Sequence, residues 1–247
     1  MSPINNSLGP AWSYRVMGFV CLVCDLVAVA LVKEIKPVPK KRMKLTDIVK
    51  FDVLKNMNFV LFCIGSDLAL LGYFVPFFYL PSYATSNGMS FTQGTALIAV
   101  AATANSIGRI GAGIVGDRIG RINTNIILTI LAGLSSFLIW SFAFTFGVMM
   151  AFSVVFGLFC GSYYALLSPI VATILGMEKF PSGLSLILIT NVFSVFGPSI
   201  SGGIEARTAA VQPYLAYKMF TGAAYLVGAI FLILLKFRMN KNPFAKI

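Results

Sequence analysis

Seven runs of consecutive apolar residues decide what this chain can fold into, because each is close to the roughly 20 residues an α-helix needs to cross a hydrocarbon core. They are Trp12 to Val32, Phe59 to Tyr83, Phe91 to Val115, Asn125 to Phe144, Val148 to Leu175, Gly183 to Ile204 and Tyr214 to Leu235. The runs are continuous rather than alternating, and lipid cannot satisfy free backbone groups, so each reads as a transmembrane helix and not as a barrel strand. Composition agrees: 58% of the 247 residues are apolar, 11% are charged and the mean hydropathy is +0.88, against about 25% charged in ordinary soluble domains. A soluble globule has no interior large enough to hide that much apolar surface. The expected fold class is an all-α integral membrane protein with seven transmembrane helices, and a soluble enzyme is excluded.

Histidine is absent. This removes Ser-His-Asp and Cys-His catalysis, imidazole metal sites and the usual proton shuttle at neutral pH. Proton chemistry must then use carboxylates. Cys21, Cys24, Cys63 and Cys160 all fall inside apolar runs, so the sequence predicts no disulfide framework, no metal site and no other cofactor.

The basic residues set the topology. Lys33, Lys36, Lys40, Lys41, Arg42, Lys44, Lys50 and Lys55 crowd one connection, Arg118 and Arg121 follow the third run, and Lys236, Arg238, Lys241 and Lys246 end the chain. Residues 84–90 and the turn near Thr145 carry none, and Glu205 to Pro213 carries only Arg207. By the positive-inside rule the basic connection and the C-terminus face the cytoplasm and the N-terminus lies outside. The plasma membrane is the expected location. The net charge of +11 is topogenic and calls for no nucleic acid, although a basic linker beside a membrane also touches anionic lipid. The expected organisation is a lone helix over 1–32, a basic cytoplasmic linker over 33–58, a bundle of six helices over 59–235 and a cytoplasmic tail over 236–247. A lone helix, a linker and then six closely connected helices look like the end of one bundle followed by a whole second one.

The loop after the third run reads Gly113-Ile-Val-Gly116-Asp117-Arg118-Ile-Gly120-Arg121. Physically it suits a latch: Asp117 stands at a helix end where Arg118 or Arg121 can pair with it, and Gly113 and Gly116 allow close backbone approach. The pattern G-x-x-x-D-R-x-G-R resembles the signature loop of the major facilitator superfamily, which recurs once in each six-helix half. Residues 75–84 (Val-Pro-Phe-Phe-Tyr-Leu-Pro-Ser-Tyr-Ala), Ser168-Pro169 with residues 174–180, and residues 197–203 (Gly-Pro-Ser-Ile-Ser-Gly-Gly) are similar to stretches of its monocarboxylate porter-like family, and of the fungal branch in particular. The resemblance implies that the chain corresponds to helices six to twelve, a C-terminal six-helix half plus the preceding helix. It also implies a secondary transporter of a small organic anion or related metabolite, with proton coupling left open.

Arg109 is the costliest residue, because a cation inside a transmembrane helix needs a partner or a wet cavity. Eight residues separate it from Asp117, which is about 12 Å at 1.5 Å per residue. The family resemblance gives this helix a substrate-binding arginine four residues after an aspartate. Arg109 takes the arginine's place and Asn105 stands where the aspartate would be. Asp67 lies nine residues in from Asn58 on the preceding helix, hence about 13.5 Å deep and level with Arg109, where the two could form an ion pair; the resemblance implies that Asp67 could replace the missing acid as counter-ion or proton site. Asn191, Asn105, Ser162, Tyr163 and Tyr164 are candidate neutral donors to a solute. Gly157 and Gly161 read as a helix-packing pair, and Pro169 and Pro198 as sites of bending.

Three functions fit the sequence: a secondary transporter or half of one, a seven-helix receptor, and a remnant that carries nothing. The expected partners are a small organic solute, membrane lipid, and either a separate N-terminal half or a second copy of the chain.

Overall fold

A computed structural model of the chain describes residues 10–31, 51–208, 212–240, 242 and 246. They fall into two compact units, Met1–Lys44 and Leu45–Ile247, and among the described residues all regular structure is helical. In the first unit, α1 (Pro10–Leu31) has its apolar stretch at Gly18–Leu31, and the Arg15 guanidinium stands 5.1 Å from the Trp12 ring. The linker cations Lys33 to Lys50 and Lys241 of the tail lie outside the described residues.

The second unit opens on a 3-10 turn, Phe51–Lys55, followed by α2 (Met57–Ser86), α3 (Phe91–Ile119), α4 (Arg121–Leu138), α5 (Phe146–Cys160), α6 (Ser162–Thr190), α7 (Gly197–Thr208) and α8 (Leu215–Met239). Polar residues placed outside the apolar runs start these helices. The Asn56 side chain accepts from the backbone N–H groups of Asn58 and Phe59, while Ser90 and Gln93 cap α3 reciprocally, which satisfies otherwise orphaned donors. In the 3-10 turn, the Asp52 carboxyl is held below its usual pKa by hydrogen bonding to Lys55 at 2.7 Å and by that charge, with Lys179 of α6 adding at 3.5 Å.

Five helical runs in this unit are long and apolar enough to cross a membrane, one of them continuous over Phe146–Thr208. Gly176, at φ +74°, breaks that run into two spans, because an L side chain resists this conformation. Six spans result in this unit, and among the described residues the apolar stretch of α1, Gly18–Leu31, is shorter than a span, so the seventh expected helix is not among them.

Two spans are less regular than their apolar runs predict. The run Val148 to Leu175 breaks at Gly161 between α5 and α6, and Gly183 to Ile204 is interrupted by a 3-10 segment, Asn191–Phe196. Pro198 has no N–H to give the Ser194 carbonyl, which instead accepts from the Gly197 N–H three residues on, the tighter 3-10 spacing. At Pro169, by contrast, the backbone stays helical, and the break falls at Gly176.

Two close crossings set the bundle. Gly65 of α2 and Gly228 of α8 face each other's backbones, and a Cβ on Gly108 of α3 would sit 2.0 Å from the Leu158 carbonyl oxygen of α5. Gly157 abuts Ala101 and Gly161 abuts the Asn105 side chain, the packing role their spacing predicts. This α3–α5 contact brings Asn105 and Arg109 against the start of α6.

Candidate functional site

Asn105 is buried where α3 meets α5. Its Nδ2 donates to Cys160 Sγ at 3.1 Å, and its Oδ1 accepts from Arg109 Nε, one turn further along, at 2.8 Å. The Arg109 guanidinium carbon lies 4.9 Å from the centre of the Tyr164 ring, with Tyr73 alongside. Among the described residues no carboxylate is in ion-pair contact with Arg109, which sits on an exposed face of α3. An amide behind it and an aromatic ring beneath it hold the planar cation in place without neutralising it.

The Asp67–Arg109 ion pair does not form. Equal depth puts two residues at one level but leaves open which way each faces. Asp67 turns to the 3-10 segment instead. The hydrogen-bond network sets the Asn191 amide nitrogen against Asp67 Oδ1 at 2.9 Å and the Ile187 carbonyl at 3.1 Å, while its oxygen accepts from the Tyr163 hydroxyl at 3.1 Å. The reverse orientation would turn the amide oxygen onto the carboxylate. Ser194 Oγ donates to the Asp67 carbonyl at 3.3 Å, which links the tightened segment to α2.

Tyr163 and Tyr164, with ring centres 5.3 Å apart, join the two poles. On one side stands the cation with Asn105, on the other Asp67 with Asn191, and the tyrosine pair lies between. Ser162, the fifth candidate donor, is turned away and bonds Asn125 of α4 at 3.4 Å.

At the far end of α3, Asp117 pairs with Arg121 at 3.5 Å and not with Arg118. Gly120, at φ +99°, ends α3 and starts α4. Gly116 gives the close approach expected of it, since a Cβ there would meet Leu166 at 2.9 Å, but Gly113 faces open space and packs nothing.

Sequence reasoning passed over Lys218 in α8. It is only 4% exposed, its Nζ donates to the Tyr83 hydroxyl at 2.8 Å, and the Tyr83 and Phe144 rings lie 4.1 and 5.3 Å from it. Glu205, also buried, accepts from the backbone N–H groups of Tyr214 and Ala216. A lysine inside an apolar run was the available signal.

This bundle, with its cation facing outward at mid-helix, can be set beside known proteins. The profile of the Major Facilitator Superfamily matches residues 4–148, more than half of the chain. The chain belongs to the major facilitator superfamily. It is 27% identical to an MFS-type transporter of Aspergillus fumigatus, over 96% of this chain and 58% of that protein. It is 26% identical to the agnestins efflux protein of Paecilomyces divaricatus, over 98% of this chain and 54% of that protein. Monocarboxylate transporter 7 of Homo sapiens is 30% identical over 68% of this chain and 33% of its own length. The chain spans about half the length of the fungal relatives it matches. Membership in this superfamily makes it a multi-pass membrane protein and leaves the receptor reading without support.

Proposed function

We propose that this chain forms one half of a secondary transporter that moves a small organic anion, with Arg109 as the residue that receives the anionic group. The observation that carries this reading is the placement of Arg109: exposed at mid-helix, positioned by Asn105 and Tyr164, and matched by no carboxylate among the described residues. A cation kept unneutralised within an apolar span is costly to maintain, and an anionic solute removes that cost while it is bound. Asn105 positions the arginine. Tyr163, Asn191 and Asp67 form the opposite wall, where Asp67 serves as counter-charge or proton site.

The rest of the reading follows from family architecture. Transporters of this type hold the solute near the midplane between two halves and expose it by rocking one half against the other. Gly113, Asp117, Arg118, Gly120 and Arg121 would then act as a latch at the cytoplasmic end of α3, and the C-terminus would face the cytoplasm of a cell whose plasma membrane houses the protein. Two relatives are named for efflux of agnestins and aspyridones, which supports export of an organic metabolite as readily as uptake of a monocarboxylate.

The test is anion flux in vesicles that hold the chain within its full-length transporter. Arg109→Ala should abolish saturable flux at normal membrane abundance, and Arg109→Lys should restore it only in part, since lysine lacks the planar fork. Wild-type flux from the alanine variant refutes the assignment.

A further inference from the structure

The break between α5 and α6 frees the groups that hold Asn105. In an unbroken helix the Gly157 carbonyl would accept from the Gly161 N–H one turn on, but that N–H turns to the Phe159 carbonyl. The Gly157 carbonyl accepts from the Cys160 thiol, at 3.5 Å. Gly161 leaves the room that the Asn105 amide fills, since a Cβ there would lie 2.6 Å from Asn105 Nδ2. From α8, the Tyr225 hydroxyl donates to the Cys160 carbonyl at 3.4 Å, which ties the break to a third helix.

The direction of these bonds follows from Arg109. A guanidinium only donates, so the Asn105 side chain turns its oxygen to Arg109 Nε, at 2.8 Å. Its amide nitrogen then faces Cys160, and the sulfur must accept, at 3.1 Å. The single thiol hydrogen is left for the Gly157 carbonyl. Each donor from Arg109 to Cys160 thus meets an acceptor, and the sulfur is what keeps the amide from turning over. A turned amide would set two donors, its own nitrogen and Arg109 Nε, against each other.

We propose that Cys160 is a positioning residue for anion binding: its sulfur fixes the orientation of the Asn105 amide and, through it, the direction in which Arg109 presents its charge. Cys160 is only 2% exposed and acts through Asn105 alone. The proposal rests on the reading of Arg109 as the residue that receives the anion. It adds that the α5–α6 break, held from α8 by Tyr225, sets the affinity of that residue.

The test is concentration-dependent flux of lactate and pyruvate in vesicles that hold the chain within its full-length transporter. Cys160→Ala should raise KM roughly three- to tenfold, what one neutral hydrogen bond contributes, with maximal rate and membrane abundance near wild type. Cys160→Ser should restore most of the affinity, because a hydroxyl in that place also donates once and accepts. In an Asn105→Ala background, Cys160→Ala should change KM no further, since the group it orients is gone. A thiol that only packs α3 against α5 would give effects that add, and serine would do no better than alanine. Either result overturns the proposal, as does a wild-type KM from Cys160→Ala.

A second measurement needs no transport and reads the orientation whichever solute is carried. In the complete 247-residue chain with Cys160 as its single cysteine, the infrared S–H stretch reports the hydrogen bonds of this thiol. Asn105→Ala should shift the band, and Ile107→Ala, on the exposed face of α3, should leave it in place. A band unmoved by Asn105→Ala overturns the proposal. Flux that Arg109→Ala leaves intact, with a band that Asn105→Ala shifts, would strike the anion role of Arg109 and leave Cys160 orienting the amide. Flux that Arg109→Ala abolishes, with a KM indifferent to Cys160, would strike the positioning role alone.

Discussion

Asn105 Oδ1 accepts a hydrogen bond from Arg109 Nε at 2.8 Å while the same amide donates to Cys160 Sγ at 3.1 Å, so one buried side chain both aims the arginine and pins α3 to α5. The choice of an amide matters. An aspartate at this position would pair with Arg109 and cancel its charge, whereas asparagine fixes the guanidinium and leaves that charge for a ligand.

Exchanging the amide for an acid should therefore damage anion transport more than removing it. Asn105→Ala loses one charge-assisted hydrogen bond, which contributes about 1.5–3 kcal/mol, so the apparent affinity for the anion should fall roughly 10- to 100-fold. Asn105→Asp should fall further, because the solute must now displace an internal counter-ion. Concentration-dependent flux in vesicles gives the order, and an aspartate variant better than the alanine variant would contradict the role given to Asn105.

Asp67 gives a separable prediction, because among the described residues its side chain meets the neutral Asn191 amide and the Thr190 hydroxyl and no cation is in ion-pair contact with it. Asp67→Asn is nearly isosteric, and the Asn191 amide can reorient to bond it, so membrane abundance should stay close to wild type. If protons pass through this carboxylate, the variant should lose the acceleration of flux by an imposed pH gradient and keep exchange of solute for solute. Unchanged gradient-driven flux would place Asp67 outside the coupling step.

The α3–α5 crossing predicts a stability effect with no change of charge. A Cβ on Gly108 would meet the Leu158 carbonyl oxygen at 2.0 Å, and backbone, unlike a flexible side chain, cannot step aside. Gly108→Ala should destabilise by about 1–3 kcal/mol, the usual range for overpacking, visible as a lower Tm. Gly113→Ala, five residues on, adds its methyl to open space and should leave Tm close to the parent value.

Much of this was legible in the sequence. Apolar runs of membrane-spanning length gave the spans, Arg109 stood out as a cation within one, and the glycine, aspartate and arginine pattern marked the loop at Gly120. What was not legible depends on direction and on neighbours. Position along a helix put Asp67 level with Arg109, but the azimuth of each side chain is set by packing, so they engage Asn191 and Asn105 instead. The 3-10 segment needed Pro198 together with the Ser194 contact to Asp67, a pairing across 127 residues. Lys218 stands three residues after Leu215, at the start of α8, where a lysine ordinarily reaches the interface. Its burial comes from Tyr83 and Phe144, on elements far away in the chain.

The topology can be checked with two positions on one helix. Lys55 ends the 3-10 turn two residues before α2 begins at Met57, and Ser86 is the last residue of α2. At 1.5 Å per residue, a helix of 30 residues is about 45 Å long, enough to put its two ends on opposite sides of the bilayer. In a variant stripped of native cysteines, Lys55→Cys should react with an impermeant thiol reagent only from the cytoplasmic side and Ser86→Cys only from outside. Labelling of both from the same face would overturn the map.

The last prediction concerns the 247-residue chain expressed by itself. Arg109 lies on an exposed face of α3, among exposed Ser106, Ile107 and Ile110, and a transporter of this superfamily covers such a face with its other half around a wet cavity. Left to lipid, the arginine costs several kcal/mol, and self-association is the simplest way to cover it. The isolated chain should therefore run as oligomers in mild detergent, and in liposomes it should give no saturable flux of lactate, pyruvate or riboflavin. Arg109→Leu should shift it toward monomer by removing the charge that drives association. Saturable flux that Arg109→Ala abolishes, from a stable homodimer, would instead show that two copies of this bundle can take the place of two different halves.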